Sequence, residues 1–130
     1  MSADGKIVRV RIDSLEGLTH EVRAFAAARE WERFHTPKNL AMALAVEAAE
    51  LMEHFQWRDA DEILPEDRRT EVAHEIADVL IYLIRLADVL GVDPVAAAKE
   101  KMVLNGRKYP VESARGNANK YDRLDAGEEG

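Results

Sequence analysis

The chain has 130 residues, which limits it to one domain of ordinary size. It carries 18 basic against 25 acidic residues, a formal net charge of −7, and this excess of negative charge argues against a nucleic-acid backbone as the main partner. The sequence contains no Cys, which excludes disulfides and thiol chemistry, and it shows neither a signal peptide nor a long uncharged apolar run. We therefore expect a cytoplasmic protein with no nucleic-acid partner and no membrane contact.

Helix start and stop signals divide the chain. Thr36 before Pro37 and Asp93 before Pro94 are N-terminal signals, and Gly91 is typical of the position after a helix. We predict a helical domain at 14–108 between an N-terminal arm at 1–13, with an extended segment at 8–12, and a C-terminal tail or loop at 109–130, disordered at its end. The predicted helices run from Asp13 or Ser14 to Glu32 or Arg33, from Pro37 to Gln56 or Trp57, from Pro65 to Leu90, and from Pro94 to about Asn105 or Gly106.

The fold class that these elements predict is all-α, a four-helix bundle. Its helices supply only a thin core for a chain of this length. The stretch from Val79 to Leu90 is apolar on more than one face, which indicates burial against partner chains. We therefore expect a homo-oligomer, either a dimer or a dimer-of-dimers tetramer.

Two pairs of carboxylates stand out within the apolar helical runs. The first carboxylate pair is Glu47 and Glu50, and the second is Glu75 and Asp78. Residues three apart lie on one face of a helix, so each pair points one way. By helical spacing both pairs fall on the apolar stripes of their helices, away from solvent, and Arg85 is the candidate cationic partner on the second stripe.

Carboxylates on a core-facing stripe are costly unless they are paired, hydrogen-bonded or bound to metal. Four of them with so little compensating charge predict a divalent-cation site, and oxygen ligands favour Mg²⁺, Mn²⁺ or Ca²⁺ over Zn²⁺. A ferritin-like di-iron site is the alternative, but it requires Glu-x-x-His pairs that neither carboxylate pair supplies. Solvated helix faces are the plainer explanation of such motifs.

Several aromatic and polar residues near the carboxylates suit either packing or contact with a ligand. Trp31 and Trp57 flank the second helix among polar residues, so they suit either ordinary burial or stacking on a base. His35 lies close enough to Trp31 to contact the edge of a base. Tyr82, one turn after Asp78, suits packing or ligand contact, and we interpret His54 as a partly buried packing residue.

The ordered motifs resemble those of the all-α MazG-like nucleotide pyrophosphohydrolases, especially the dCTP pyrophosphatase branch. The E-x-x-E and E-x-x-D motifs are separated by 24 residues, and the resemblance covers residues 14–121. The segments that carry it are F-A-A-A-R-E-W-E-R-F-H-T-P-K-N-L, A-x-E-A-A-E-L-x-E-x-F-Q-W, E-I-A-D-V-L-I-Y-L and K-M-x-x-N-x-R-K-Y-P-V-E. The short link between Trp57 and Pro65 departs from relatives with a longer insertion.

This resemblance implies Mg²⁺-dependent cleavage of a nucleoside triphosphate between the α and β phosphates, with Mn²⁺ as a possible substitute. It also implies a tetramer with sites at subunit interfaces. The residues that it assigns to metal binding and catalysis are Glu47, Glu50, Glu75 and Asp78. The residues that it assigns to substrate binding are Trp31, His35, Trp57, Tyr82, Lys101, Asn105 and Tyr109.

The leading hypothesis is therefore a dNTP pyrophosphohydrolase that favours dCTP and removes nucleotides from the cellular pool. One alternative keeps the fold and changes the substrate to dUTP or phosphoribosyl-ATP. A second alternative is a helical nucleotide-binding or scaffold protein without turnover.

Overall fold

The computed structural model describes residues 12–119, and within this range the chain is helical and contains no strand. The elements are α1 (Leu15–Ala28), a 3-10 turn (Glu32–Phe34), α2 (Pro37–Glu53), α3 (Glu66–Leu90), α4 (Pro94–Lys108) and α5 (Val111–Ala114). The all-α prediction is confirmed. Most of the extended segment predicted at 8–12, and the expected disorder of the last residues, fall outside the described range.

Helices α1, α2 and α4 begin where the sequence predicts because local side chains cap them. The hydroxyl oxygens of Ser14 and Thr36 accept hydrogen bonds from backbone N–H groups three residues on, at 3.0 and 3.2 Å. Asp93 accepts from two N–H groups at the start of α4, where Pro94 occupies the first position. Gly91 ends α3 in the left-handed conformation, with φ 68°.

The end of α1 differs from the prediction. The helix stops at Ala28 and does not continue through residues 32–33. Glu30 adopts φ 55°, a left-handed conformation that breaks the helical path, and the N–H of Trp31 donates back to the carbonyl of Ala26 at 3.0 Å. Because Glu is not a residue that usually adopts this conformation, the sequence carried no local stop signal.

The end of α2 is also earlier than predicted. The helix stops at Glu53, because the N–H groups of His54 and Phe55 bond to carbonyls three residues back, at 3.3 and 2.9 Å. Trp57 therefore lies beyond the helix, in the turns that follow it.

Two corrections apply to the C-terminal part of the chain. Helix α4 continues to Lys108, two residues past the predicted end. Residues 111–114 form α5 where the sequence predicts only tail or loop. Pro110 starts this helix with the fixed φ that suits a helix start, and its carbonyl accepts from the Ala114 N–H at 2.9 Å.

Helix α3 is the centre of packing for the first part of the chain, because both α1 and α2 lie against it. The start of α2 lies near the end of α3, where Arg85 bonds to His35, and the residues after α2 share a cavity with Arg68 near the start of α3. These two helices are therefore antiparallel. The buried residues of the described chain are Ala26, Leu40, Val72, Ile84 and Arg85.

The chain forms two compact units, residues 1–92 and residues 93–130. The first contains α1, α2 and α3, and the second contains α4 and α5. A four-helix bundle that includes α4 therefore stays a prediction. No helix in the described part of the chain is long and apolar enough to span a membrane.

The strained backbone at Glu30 gives a stability prediction. We expect Glu30→Gly to raise the free energy of unfolding by up to about 1 kcal/mol, because Gly adopts a positive φ without a Cβ clash. Chemical denaturation followed by circular dichroism measures this change.

The matched control is Glu32→Gly, two residues on, where φ is not positive. There the added freedom of the unfolded chain should lower stability by about 0.5–1 kcal/mol. Equal effects of the two substitutions would contradict the assignment of strain to Glu30.

Candidate metal centre and base-binding residues

Helices α2 and α3 bring three carboxylates to one point. Glu47, Glu75 and Asp78 each offer one oxygen, and these oxygens all lie within 4.8 Å of one another. Glu47 comes from the middle of α2, and the other two come from adjacent turns of α3. Antiparallel packing and the three-residue spacing together produce this convergence, because each pair of carboxylates lies on the face that meets the other helix.

Two oxygens of this group are buried without a hydrogen-bond partner. Glu47 Oε2 and Glu75 Oε2 are shielded from solvent, and no donor within residues 12–119 reaches either of them. A buried carboxylate oxygen without a partner is costly. Glu50 is half-buried, and Asp78 is exposed at the rim. The expectation that both pairs point away from solvent is therefore wrong for Asp78.

The electrostatics of the group are clearest at Glu47. Burial, followed by the neighbouring carboxyl of Glu50, raises the pKa of Glu47 to about 7, and Glu75 and Asp78 add to the shift. A proton on Glu47 can be shared with a neighbouring carboxylate, which relieves part of the repulsion. A divalent cation would relieve it more completely, since it attracts every carboxylate of the group.

Arg85, the candidate cationic partner on this stripe, bonds to other groups and leaves the carboxylates without a cationic partner in the described part of the chain. Its guanidinium is buried and donates from Nε to His35 Nδ1 and from Nη1 to Asp88 Oδ2, both at 3.0 Å. The sequence placed Arg85 on the correct stripe of α3, but two turns beyond Asp78 its side chain finds closer partners. Arg85 therefore does not neutralise the negative charge of the carboxylate group.

The donor set fits a hard divalent cation. All the candidate ligands are carboxylate oxygens, the type preferred by Mg²⁺, Mn²⁺ and Ca²⁺. The two buried oxygens without hydrogen-bond partners favour a cation at this point, because a cation would interact with both. Glu50 stands beside this group and shares a cavity with Glu75.

The cavity beside the carboxylates measures about 510 Å³. Its lining residues are Glu50, Glu53, His54, Gln56, Arg68 and Glu75. His54 is partly buried, as the sequence predicts, and it lies beside the carboxylates because helical spacing places it one turn after Glu50. No hydrogen-bond partner within residues 12–119 reaches its Nδ1. The position of Arg68 in this cavity depends on tertiary packing and was not predicted.

A second cluster forms where α1 leads into α2. The Trp31 ring is 43% exposed and lies edge-on to the rings of His35, at 6.2 Å, and Phe25, at 5.8 Å. The Arg29 guanidinium covers Phe25 at 3.4 Å from the ring centre. Burial, and then the charge of Arg85, lowers the pKa of His35. This end therefore presents a neutral imidazole beside an accessible indole.

The remaining predicted substrate residues lie on α3, in the turns after α2 and in the second unit. Tyr82 is half-buried on α3, one turn from Asp78 and one turn from Arg85. Trp57 is 89% exposed in the turns after α2. Lys101 and Asn105 lie on α4, and Tyr109 follows its last residue, so all three belong to the second unit.

The model of the MazG-like family matches residues 42–124, which include both carboxylate pairs. The chain therefore belongs to the MazG-like family.

Its relatives include human dCTP pyrophosphatase 1, which is 42% identical over 118 residues, covering 88% of this chain and 69% of the relative. The mouse protein of the same name has the same identity and coverage. Among solved structures, the crystal structure of a pyrophosphatase from Archaeoglobus fulgidus DSM 4304 is similar, with a TM-score of 0.69 and 51% identity. That match covers 74% of this chain and 92% of the archaeal chain.

The raised pKa of Glu47 predicts how stability changes with pH when metal is withheld. The folded-state pKa lies above the ordinary value of 4.5, so the fold favours the protonated group. The contribution of Glu47 to the free energy of unfolding should be largest below about pH 4.5, and it should be lost as the pH rises through about 7. With solvent screening the loss should be about 1 kcal/mol, and Glu47→Gln should remove it.

Denaturation in a chelator at about pH 5 and about pH 8 measures this effect. Exposed Glu21→Gln is the charge-matched control and should leave the pH dependence as in the wild type. Added Mg²⁺ should abolish the loss at high pH in the wild type. An identical pH profile for wild type and Glu47→Gln would contradict the assignment.

Proposed function

We propose that this protein is a divalent-metal-dependent pyrophosphohydrolase that converts dCTP and water to dCMP and pyrophosphate. The observation that carries this proposal is the pair of buried, partnerless oxygens of Glu47 and Glu75 within a group of three carboxylates. Membership of the MazG-like family and the similarity to dCTP pyrophosphatase 1 support the reaction and the substrate. Removal of a nucleotide from the pool fits the cytoplasm, the compartment expected from the sequence.

Mg²⁺ is the proposed ion, with Mn²⁺ as a substitute. Glu47, Glu75 and Asp78 would hold it, and Glu50 would complete the set from the same face of α2. A bound cation of this kind neutralises phosphate oxygens and polarises the phosphoryl group. It also makes the binding of a polyanion possible at a site built from carboxylates.

Residues of the chain itself would accept the proton released in the reaction and orient the reacting groups. The oxygen of a water attacks the α phosphorus, and a carboxylate of the two pairs takes the proton released. The bond between the α phosphorus and the α–β bridging oxygen breaks, and that oxygen leaves with pyrophosphate. The monophosphate keeps the attacking oxygen, so the reaction needs no other co-reactant.

The base would bind at the other end of the same pair of helices. Asp78 and Arg85 are seven residues apart on α3, about 10 Å along the helix axis, and Tyr82 lies between them on the same face. Trp31 offers an accessible ring for stacking, beside His35. Trp57, Lys101, Asn105 and Tyr109 are proposed as substrate contacts on the family resemblance.

We also propose that the active protein is a homo-oligomer, with a tetramer favoured. Ile76, Leu83 and Leu90 recur every seven residues along α3 and are 53%, 46% and 55% exposed. A repeat of seven places these side chains in one row, as at a helix–helix interface. An exposed apolar row of this kind is typical of an interaction surface.

Product analysis tests the reaction type. Each dNTP is incubated with Mg²⁺, and the products are separated. We expect monophosphate and pyrophosphate, fastest with dCTP. Diphosphate with inorganic phosphate would refute cleavage between the α and β phosphates. Preferred turnover of dUTP or phosphoribosyl-ATP would change the substrate, and tight binding of Mg²⁺–dCTP without turnover would favour a non-catalytic binder.

The carboxylate group gives the central mutational prediction. Glu47→Gln and Asp78→Asn should each lower kcat/KM for dCTP at least about 100-fold while leaving the fold intact, because each removes a charge that holds the cation. Steady-state kinetics with circular dichroism measures both effects. Glu21→Gln, an exposed substitution of the same type on α1, should retain full activity. Full activity of either carboxylate variant would exclude the proposed metal centre.

The apolar row on α3 predicts the assembly state. Leu83→Lys should dissociate the oligomer in sedimentation velocity, because a charge at the centre of the row has no partner. Ile63→Lys, at a residue that is 89% exposed in the link between α2 and α3, is the matched control and should leave the assembly unchanged. A Leu83→Lys variant with unchanged sedimentation would remove α3 from the proposed interface.

A further inference from the structure

A hydrogen-bonded chain of charged groups ends on the ring of His35. Arg85 Nε donates to His35 Nδ1 at 3.0 Å, and Arg85 Nη1 donates to Asp88 Oδ2 at 3.0 Å. Arg23 on α1 also holds Asp88, with its Nε at 2.9 Å from Oδ2 and its Nη2 at 2.5 Å from Oδ1. One carboxylate thus joins two arginines from two helices, and one of those arginines contacts the imidazole.

The contact between Arg85 and His35 fixes where the imidazole proton lies. A guanidinium is always protonated in a protein and has no acceptor, so the nitrogen that faces it must be the acceptor. His35 Nδ1 is therefore unprotonated, and the single ring proton of the neutral imidazole lies on Nε2. Burial and the positive charge of Arg85 both lower the pKa of His35, which keeps the ring neutral.

The hydrogen bond with Asp88 holds the Arg85 guanidinium in the position that determines the tautomer of His35. The Arg85 side chain is only 8% exposed, so its charge depends on the carboxylate of Asp88. The side chain of Asp88 is only 14% exposed, and its pKa is lowered by hydrogen bonding to Arg23 and by the charges of both arginines. Asp88 is thus ionised near neutral pH and keeps Nη1 of Arg85 on one side while Nε faces His35.

We propose that Arg85 is a positioning residue for base recognition: it makes His35 a hydrogen-bond donor at Nε2, which selects a base that presents an acceptor. This inference rests on the proposed function for its substrate. Cytosine carries an unprotonated N3 beside its O2 carbonyl, whereas uracil and thymine carry a proton on N3. A donor-only imidazole matches the acceptor N3 of cytosine and opposes the N3–H of the other pyrimidines.

The first experiment reads the tautomer without substrate. Long-range ¹H–¹⁵N spectra of the wild type at about pH 7 should show His35 as the neutral Nε2–H form. The chain has four histidines, and comparison with His35→Gln assigns the signals. A proton on Nδ1, or a doubly protonated ring, would overturn the proposal whatever the enzyme does.

The second experiment uses Arg85→Met, which keeps an unbranched apolar stem and removes the guanidinium donor. His35 should then populate both tautomers. The KM for dCTP should rise about tenfold with little change in kcat, and the preference for dCTP over dTTP should fall about tenfold. Arg85→Lys should restore part of the preference, because its ammonium also only donates. A merely structural role for Arg85 predicts no rescue by Lys and no change specific to the base.

The control is Arg69→Gln, an exposed arginine near the start of the same helix, which lies outside this network and leaves the contact of Arg85 with His35 in place. This variant should keep the wild-type tautomer and the wild-type preference for dCTP. An unchanged preference in Arg85→Met would refute the selection of the base. If the wild type hydrolyses no dNTP, the proposed function fails, while the spectra still decide whether Arg85 fixes His35.

Discussion

The convergence of like charges between α2 and α3 is the constraint on which the rest of the structure depends. Oxygens from Glu47, Glu75 and Asp78 lie within 4.8 Å of one another, and carboxylates at that separation repel unless a proton or a cation lies among them. Packing of α2 against α3 brings these negative charges together, so the electrostatic repulsion among them opposes the packing. Burial raises the pKa of Glu47, and the neighbouring carboxyls of Glu50, Glu75 and Asp78 add to the shift. A divalent cation among these oxygens would offset that repulsion.

Helix α3 keeps opposite charges apart along one face. Its carboxylates lie near the middle of the helix, while Arg85 lies two turns on and is occupied by Asp88 and His35. An arginine free to reach Glu75 or Asp78 would compete with a divalent ion for the same oxygens. Asp88 stabilises a buried guanidinium that faces His35, two turns from the carboxylates. The intervening Tyr82 belongs to the same face.

The sequence predicted what local chemistry and helical period determine. The starts of α1, α2 and α4 follow from Ser14, Thr36 and Asp93, and the three-residue spacing of the carboxylates places each pair on one face. The ends of α1 and α2 were not predictable from local residue types. Hydrogen bonds between backbone groups just beyond the last helical residues determine where both helices stop. The partner of Arg85 was missed because His35 is fifty residues away in the chain, and only the antiparallel packing of α2 on α3 brings the two together.

The small interior has a consequence for what stability means in this protein. Among the described residues, four apolar side chains and one arginine are buried, so little free energy comes from apolar burial within the chain. Whatever binds only the folded form shifts the equilibrium away from the unfolded one, so the cation and the partner chains proposed above would each add to its stability. Its melting temperature would then depend on ion and protein concentration as well as on the amino-acid sequence.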